Sequence, residues 1–208
     1  MRPPKFGLAA SISVASALAG CGGEPPPPAP APAPAVAMSS GTPLETLFPL
    51  IDRNQYHYAT ESEGGRGMLI ARVRRNRPDG GSLQMPAGSK RFTYKPEGIL
   101  LERDGMMPVY VLKQPVQIGH KWRGEHGGWV EIAEVDSSVE VPSGTYTGCV
   151  KTLEERGGDQ PLRVVTTFCP DVGIVQLDAV SGGQFERAVL ESYGPPVDLG
   201  PDGVSRIP

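Results

Sequence analysis

Three histidines are the residues of this chain best suited to bind a metal or to carry a proton near neutral pH. His120 and His126 lie across a glycine-rich segment from each other, and the adjacent Glu125 could complete a metal site. Their spacing matches no zinc or copper motif, because such motifs place ligands at characteristic intervals. We therefore expect His57, His120 and His126 to lie exposed at strand ends, with no bound metal and no cofactor.

Nucleophilic catalysis has no recognisable setting in the sequence. The chain contains neither the Gly-x-Ser-x-Gly turn of hydrolases nor a Ser-x-x-Lys pair. Gly80-Gly81 is too short to cradle a phosphate, and sequence spacing alone does not show which carboxylates share a cleft. The sequence thus predicts a protein that is not an enzyme, with no catalytic residue assigned.

Cys149 and Cys169 are placed so that they can meet. The segment from Gly157 to Gln160 predicts a turn, and folding the chain about Asp159 sets the two cysteines opposite each other, each ten residues away. Directly opposed residues of an antiparallel pair lie close enough for a disulfide after a small adjustment. We expect this bond, while a reactive thiol pair and a metal site remain alternatives.

The third cysteine, Cys21, follows an N-terminal segment with the features of an export signal. A positively charged start leads into an uncharged apolar run, residues 8–18, which is too short to span a bilayer. The run ends in Leu-Ala-Gly-Cys at residues 18–21, which resembles the lipobox of bacterial lipoproteins. The resemblance implies lipid transfer to the Cys21 thiol, removal of residues 1–20, and acylation of the new amino group, with palmitate as the expected fatty acid.

The residues after Cys21 indicate where the anchored protein goes. Aspartate at the next position is associated with inner-membrane retention in many Gram-negative bacteria, and this chain has Gly22 there. By resemblance to that sorting rule, we expect a lipid-anchored protein of the outer membrane, facing the periplasm or the cell surface. Residues 24–37 are almost entirely proline and alanine, which favours an extended spacer of about 40 Å.

The sequence divides into four parts: a signal peptide at 1–20, a lipid attachment and linker at 21–41, a folded domain at 42–195 and a flexible tail at 196–208. The domain is long enough to bury its own core. After removal of Arg2 and Lys5 with the signal, 18 of the 20 basic residues remain against 23 acidic ones, a formal charge of −5. Because nucleic-acid binding favours a basic surface, we expect no nucleic-acid partner.

The folded part is predicted to be all-β. Alternating apolar and polar residues recur in short segments between glycine-rich turns, which is typical of a curled antiparallel sheet, half-barrel or sandwich of about ten strands. Trp129–Val135 and Val139–Val141 are predicted as separate strands. The one candidate helix is residues 44–51, with Thr42 as its cap and Pro43 in its first turn.

Several of these segments together resemble a group of uncharacterised bacterial exported lipoproteins. Leu47-Phe48-Pro49-Leu50 is similar to their FPL start, although Tyr56 stands where tryptophan is usual. The segment VPSGTYTGCV at 141–150 resembles their VPAG strand, and FCPDVGIV at 168–175 resembles their GVG turn. A looser similarity is to periplasmic lipoprotein carriers of the LolA/LolB type. The resemblance implies an exported address and a curled sheet around an apolar cavity, and it implies no activity.

Three roles are consistent with these observations, and the sequence favours them in a definite order. The first is a structural or protein-interaction role with a partner in the cell envelope, and the third is an enzyme. The second is a carrier or sensor of a lipid-like apolar ligand, which requires an open interior. The residues expected to line such an interior are Phe92, Tyr94, Trp122, Trp129, Val150 and Phe168.

Overall fold

The computed structural model describes residues 44–196, which form one short helix and twelve strands. The predicted signal peptide, Cys21, the linker and the tail beyond residue 196 lie outside the described residues. Helix α1 is Leu44–Leu47. The strands are β1 Gln55–Ser62, β2 Gly65–Arg77, β3 Gly80–Met85, β4 Gly88–Lys95, β5 Gly98–Arg103, β6 Met106–Lys113, β7 Lys121–Arg123, β8 Trp129–Val141, β9 Gly144–Arg156, β10 Leu162–Cys169, β11 Gly173–Ser181 and β12 Gln184–Gly194.

The strands form a single curled antiparallel sheet, so the predicted fold class is confirmed. Their order is β6-β5-β4-β3-β2-β1-β12-β11-β10-β9-β8-β7. Each pair of neighbours in this order is consecutive in the chain except β1 and β12, which also pair. The two edge strands, β6 and β7, approach each other, and the Trp122 indole N–H donates to the Tyr110 carbonyl at 2.8 Å across that seam. The sheet is therefore nearly closed on itself.

Consecutive turns of an antiparallel meander alternate between the two ends of the sheet, so each end of the curled sheet has its own set of turns. The turns at 63–64, 86–87, 104–105, 124–128, 157–161 and 182–183 lie at one end, called here the open end. The opposite end, called the closed end, carries helix α1, the segment 48–54, and the turns near 78, 96, 142 and 171.

The closed end is sealed by the segment 48–54, called here the sealing segment. Phe48 packs edge-on against Phe92 and Phe168, with ring centroids 4.9 and 6.2 Å away. The Tyr94 hydroxyl donates to the Phe48 carbonyl at 2.9 Å and accepts from the Leu50 N–H at 3.0 Å. The helix is thus shorter than the predicted 44–51, because Pro49 disfavours a helical conformation at Phe48 and lacks an N–H of its own.

The hairpin of β9 and β10 has the predicted register. Phe168 pairs with Val150 and Leu162 with Arg156, so the pairing is symmetric about Asp159. Continuing that register sets Cys149 opposite Cys169, and the two are joined by a disulfide with Cα atoms 4.2 Å apart. Both cysteines are fully buried. The predicted Cys149–Cys169 bond is confirmed, and it lies towards the closed end of the sheet.

Candidate ligand-binding cavity

A cavity of about 190 Å³ lies inside the curled sheet. Its wall is built from residues that alternate along the strands with outward-facing ones: on β2, for example, Leu69 and Ala71 line the cavity while Met68 is exposed. Further apolar lining comes from Leu83, Val164, Leu177 and Ala188. Towards the closed end the lining is aromatic, with Phe48, Phe92 and Phe168. Side chains of the core therefore leave part of the interior unfilled.

At the open end the lining of the cavity becomes polar and charged. Lys90, Glu125, His126 and Glu154 all line it there. The side chains of Lys90 and His126 are each 42% exposed and that of Glu125 is 24% exposed, so the cavity reaches solvent at this end. The four residues come from β4, β9 and the segment 124–128 between β7 and β8, called here the lid loop.

Glu154 is the buried centre of this polar group. Its side chain is only 8% exposed, and its carboxylate accepts three hydrogen bonds: from the His126 ring at 2.8 Å and from the backbone N–H groups of His126 and Gly128 at 2.9 and 3.0 Å. A buried carboxylate needs such partners because leaving it unpaired is costly. Glu154 therefore fastens the lid loop to β9.

The two members of the pair shift each other's ionisation. Burial alone raises the pKa of Glu154, but the hydrogen bonds from His126 and from the lid-loop backbone outweigh burial, so the pKa lies below its usual value. The hydrogen bond to Glu154 is the largest influence on His126, and it raises the pKa of that imidazole against the opposing effect of burial. The pair is thus held as imidazolium and carboxylate over a widened range of pH.

Two glycines allow the lid loop to close around the carboxylate. A Cβ added to Gly124 would lie 2.5 Å from Glu154 Oε1, and one added to Gly128 would lie 2.5 Å from the Glu155 carbonyl oxygen. Carbon and oxygen atoms do not approach so closely without displacement, so a side chain at either position would force the loop or Glu154 to move. The glycines that bound the lid loop are therefore required by close packing.

Basic side chains hold the lid loop from both sides. Lys90 Nζ on β4 lies 2.6 Å from Glu125 Oε1. The Arg103 guanidinium, from the end of β5, donates to the Glu125 carbonyl at 2.9 Å, and that of Arg156 on β9 donates to the His126 carbonyl at 2.7 Å. The loop is therefore fixed to strands on opposite sides of the opening.

The structure brings only some of the predicted ligand-lining residues together. Phe92 and Phe168 line the cavity. Val150 is fully buried beside the disulfide, and Tyr94 is engaged with the sealing segment at the closed end. Neither of these two residues lines the cavity.

The two tryptophans lie elsewhere as well. Trp122 is buried at the seam, where its N–H is satisfied by Tyr110. Trp129 is 52% exposed on the outer face, with the Arg123 guanidinium 4.2 Å from its ring centroid, because Val130 occupies the inward position next to it. Neither tryptophan contributes to the cavity wall.

The histidines are dispersed over the fold. The His120 ring bonds the Pro115 carbonyl at 2.9 Å, and the His57 ring lies 3.5 Å from Gln55 Oε1. His126 lies at the cavity opening, where it contacts Glu154, a residue that the sequence alone did not single out. Within residues 44–196 no group of three or more His, Cys, Asp or Glu side chains is arranged to hold a metal ion. The described part also contains no helix with the length and hydrophobicity needed to cross a membrane.

Comparison with known proteins gives two solved structures to which part of this chain is similar. One is a protein inferred to be exported, with a YmcC-like fold, from Bacteroides fragilis: the identity is 13%, the match covers 71% of this chain and 98% of that chain, and the TM-score is 0.43. The other is an inferred lipoprotein from Parabacteroides distasonis, 13% identical, with 72% and 98% covered and a TM-score of 0.41. No family model and no curated protein matches the chain. The motif resemblance to exported lipoproteins and to LolA/LolB-type carriers stays a prediction.

Proposed function

We propose that this chain is a cell-envelope lipoprotein whose folded domain binds a small apolar or amphipathic molecule in the cavity. The observation that carries the proposal is the unfilled interior itself, which has an apolar wall and a charged opening. Ligand sites typically combine such a wall with a few polar groups that orient the ligand. The cavity therefore moves the ligand-binding role ahead of the structural role that the sequence favoured.

The size of the cavity limits what it can hold. Pockets for drug-sized ligands measure about 300–1,000 Å³, whereas an apolar cavity of about 150 Å³ accepts a molecule the size of benzene. At about 190 Å³ this cavity suits one small ring or one thin chain. We propose a ligand with a single slender apolar part, in place of a lipid with two or three chains.

The address of the protein belongs to the same proposal. A lipid on Cys21, with palmitate on the amino group, would hold the domain at the outer membrane, and the Pro/Ala-rich segment would act as its spacer. Binding and carrying a ligand at a membrane requires no bond-making step, so no catalytic activity is proposed.

An NMR titration of the mature chain, residues 21–208 with Cys21→Ser, tests ligand binding directly. We expect toluene to shift the methyl signals of Leu83 and Val164 in a saturable way, because both residues line the cavity. Ala188→Leu places a larger side chain in the cavity and should abolish the shifts. Ala59→Leu adds the same atoms on β1 at a position that does not line the cavity, and should leave them unchanged.

A protein-interaction role is the second candidate, and exposed apolar residues at the open end favour it. Met106 and Met107 are 59% and 83% exposed and begin β6, where the Met107 carbonyl accepts from Arg103, which also contacts the lid loop. Large apolar residues grouped on a surface mark contact sites. If toluene produced no saturable shift, or bound equally well to Ala188→Leu, the ligand-binding proposal would be rejected. Protein interaction would then be the better supported function.

A further inference from the structure

We infer that the ligand is a single-chain amphiphile with one anionic group, a carboxylate or a phosphate, and that His126 and Lys90 hold that group at the cavity opening. The inference rests on the proposed function, since it names the chemical class of the ligand for the same cavity. It depends on three separate features of the open end: its charges, its unused hydrogen-bond donors, and the position of the apolar wall.

The charges around His126 favour an anion. The groups that face it are Glu154 and Arg156 on β9, Glu125 in the lid loop and Lys90 on β4, and Arg103 on β5 bonds the same loop. Three of these are basic side chains and two are carboxylates. With the imidazolium of His126 the group therefore has an excess of positive charge, which attracts an anionic group and repels a cationic one.

The hydrogen-bonding capacity that remains at this end consists mainly of donors. Both oxygens of Glu154 are already engaged, and Glu125 Oε1 is held by Lys90. The His126 ring uses only Nδ1 within residues 44–196, and an ammonium group such as that of Lys90 has three donors. A carboxylate or phosphate supplies the acceptors that match such donors.

The apolar wall fixes the direction of the ligand. The charged residues lie at the solvent end of the cavity, while Phe48, Phe92 and Phe168 lie towards the closed end. An amphiphile with its anionic group at Lys90 and His126 would therefore direct its chain inward to the aromatic residues. The reverse orientation would bury an unpaired charge in an apolar wall, which is strongly unfavourable.

The state of His126 makes binding depend on pH. The imidazolium donates through Nε2 and carries a charge, whereas the neutral ring, with its hydrogen on Nδ1 for Glu154, has at Nε2 only a lone pair that repels an anion. The hydrogen bond to Glu154 raises the pKa of His126 and so extends the binding form towards neutral pH. Affinity for the anion should be high below that pKa and fall as the pH rises through it.

Calorimetric titration with tail-matched probes tests the inference on the mature chain with Cys21→Ser. Octanoate, octyl phosphate, 1-octanol and octylammonium share one chain and differ in the polar group. Near pH 6 we expect both anionic probes to bind about tenfold or more tighter than octylammonium, the scale of one charge-assisted hydrogen bond. Whichever anion binds more tightly identifies the group as a carboxylate or a phosphate. Raising the pH to about 8.5 should weaken the binding of octanoate, whose carboxylate is ionised at both pH values, and leave the binding of 1-octanol unchanged.

Variants assign the effect to the cavity opening. His126→Gln should weaken octanoate binding about tenfold and remove its pH dependence, whereas Lys90→Gln should weaken it without removing the pH dependence. Circular dichroism spectra that match that of the wild type show that both variants fold. His57→Gln, on β1 outside the cavity, is the matched control and should have no effect. Equal affinity for all four probes, or tighter binding of octylammonium, would overturn the inference while leaving the proposed function intact. Absence of binding for 1-octanol and octanoate alike would overturn both.

Discussion

The closed and open ends of the sheet stabilise their buried polar side chains in opposite ways. At the closed end the buried groups are phenols that stay neutral: burial, with a smaller effect of Tyr94 and Tyr193, raises the pKa of Tyr56 to about 12, and burial also raises that of Tyr58. At the open end they are charged, and Glu154 stays ionised through its bonds to the lid loop. Neutral hydroxyl groups fix the sealing segment, whereas charges at the open end remain able to respond to a ligand or to pH.

The largest test of this contrast is removal of the aromatic ring that seals the closed end. Phe48 is 4% exposed and packs against two other phenylalanines. We expect Phe48→Ala to lower the free energy of unfolding by about 3–5 kcal/mol, as large-to-small changes in cores do. Urea denaturation measures the loss. Ile51→Ala, in the same segment but 50% exposed, is the control and should change stability by less than about 0.5 kcal/mol. Similar losses for the two variants would show that the segment does not seal the core.

The disulfide should contribute somewhat less than Phe48. It closes a loop with a sequence separation of 20, for which restriction of the unfolded chain predicts about 3 kcal/mol. We expect the double variant Cys149→Ala/Cys169→Ala to lose that amount in urea denaturation. A reducing agent should lower the stability of the wild type to a similar extent and leave the double variant unaffected. An unchanged wild type, after mass spectrometry has shown complete reduction, would contradict this expectation.

At the open end the expected effect is smaller and depends on pH. Glu154→Gln weakens charge-assisted bonds to the lid loop and should cost about 1–2 kcal/mol in the free energy of unfolding. The lowered pKa of Glu154 means that its contribution is present above its usual value of 4.5 and is lost as the pH falls. The raised pKa of His126 means that its contribution is present below its usual value of 6.5 and is lost as the pH rises. The wild type should therefore exceed the variant in free energy of unfolding by the largest amount between pH 4.5 and pH 6.5.

Urea midpoints measured across that range for both proteins test this pH dependence. Glu155→Gln changes the adjacent carboxylate, which is 63% exposed and 3.8 Å from Arg163, and should change stability by less than about 1 kcal/mol at every pH. If the difference in the free energy of unfolding between the wild type and Glu154→Gln stayed constant with pH, the ionisation of the His126–Glu154 pair would not contribute to the stability of the lid loop. The contrast between neutral buried groups at the closed end and ionised ones at the open end would then have no effect on stability.

The sheet could be predicted from the sequence because nearly every strand shows alternating apolar and polar residues. Two features could not, namely strand β3 and the continuity of strand β8, because their local composition departs from that alternation. Strand β3 begins Gly80-Gly81-Ser82, so only Leu83 and Met85 show alternation. Strand β8 was predicted as two strands, Trp129–Val135 and Val139–Val141, but it is continuous across an irregularity at which Asp136 has a φ of 54°. A bulge interrupts the apolar pattern without ending the strand.

The cavity was less predictable than the sheet, for reasons that the individual residues make clear. Alternation assigns Trp129 and Val130 to opposite faces, but it does not decide which face is inward, and the larger residue lies outside. His126 and Glu154 are 28 residues apart, and only the pairing of β8 with β9 brings them together. Phe92 and Phe168, which the sequence placed in a possible apolar lining, do line the cavity, and their role towards a ligand stays a prediction.

The pairing of β1 with β12 has a consequence for how the chain acquires its structure. Gln55 lies opposite Gly194, so the middle of the sheet joins strands from nearly the two ends of the described chain. Contacts so distant in sequence form late and slow folding, since a long loop must close before they bring any gain. Until the last strand arrives, β1 has a free edge that can pair with other chains. A chaperone that shields such edges would therefore be needed most during the interval between the emergence of β1 and that of β12.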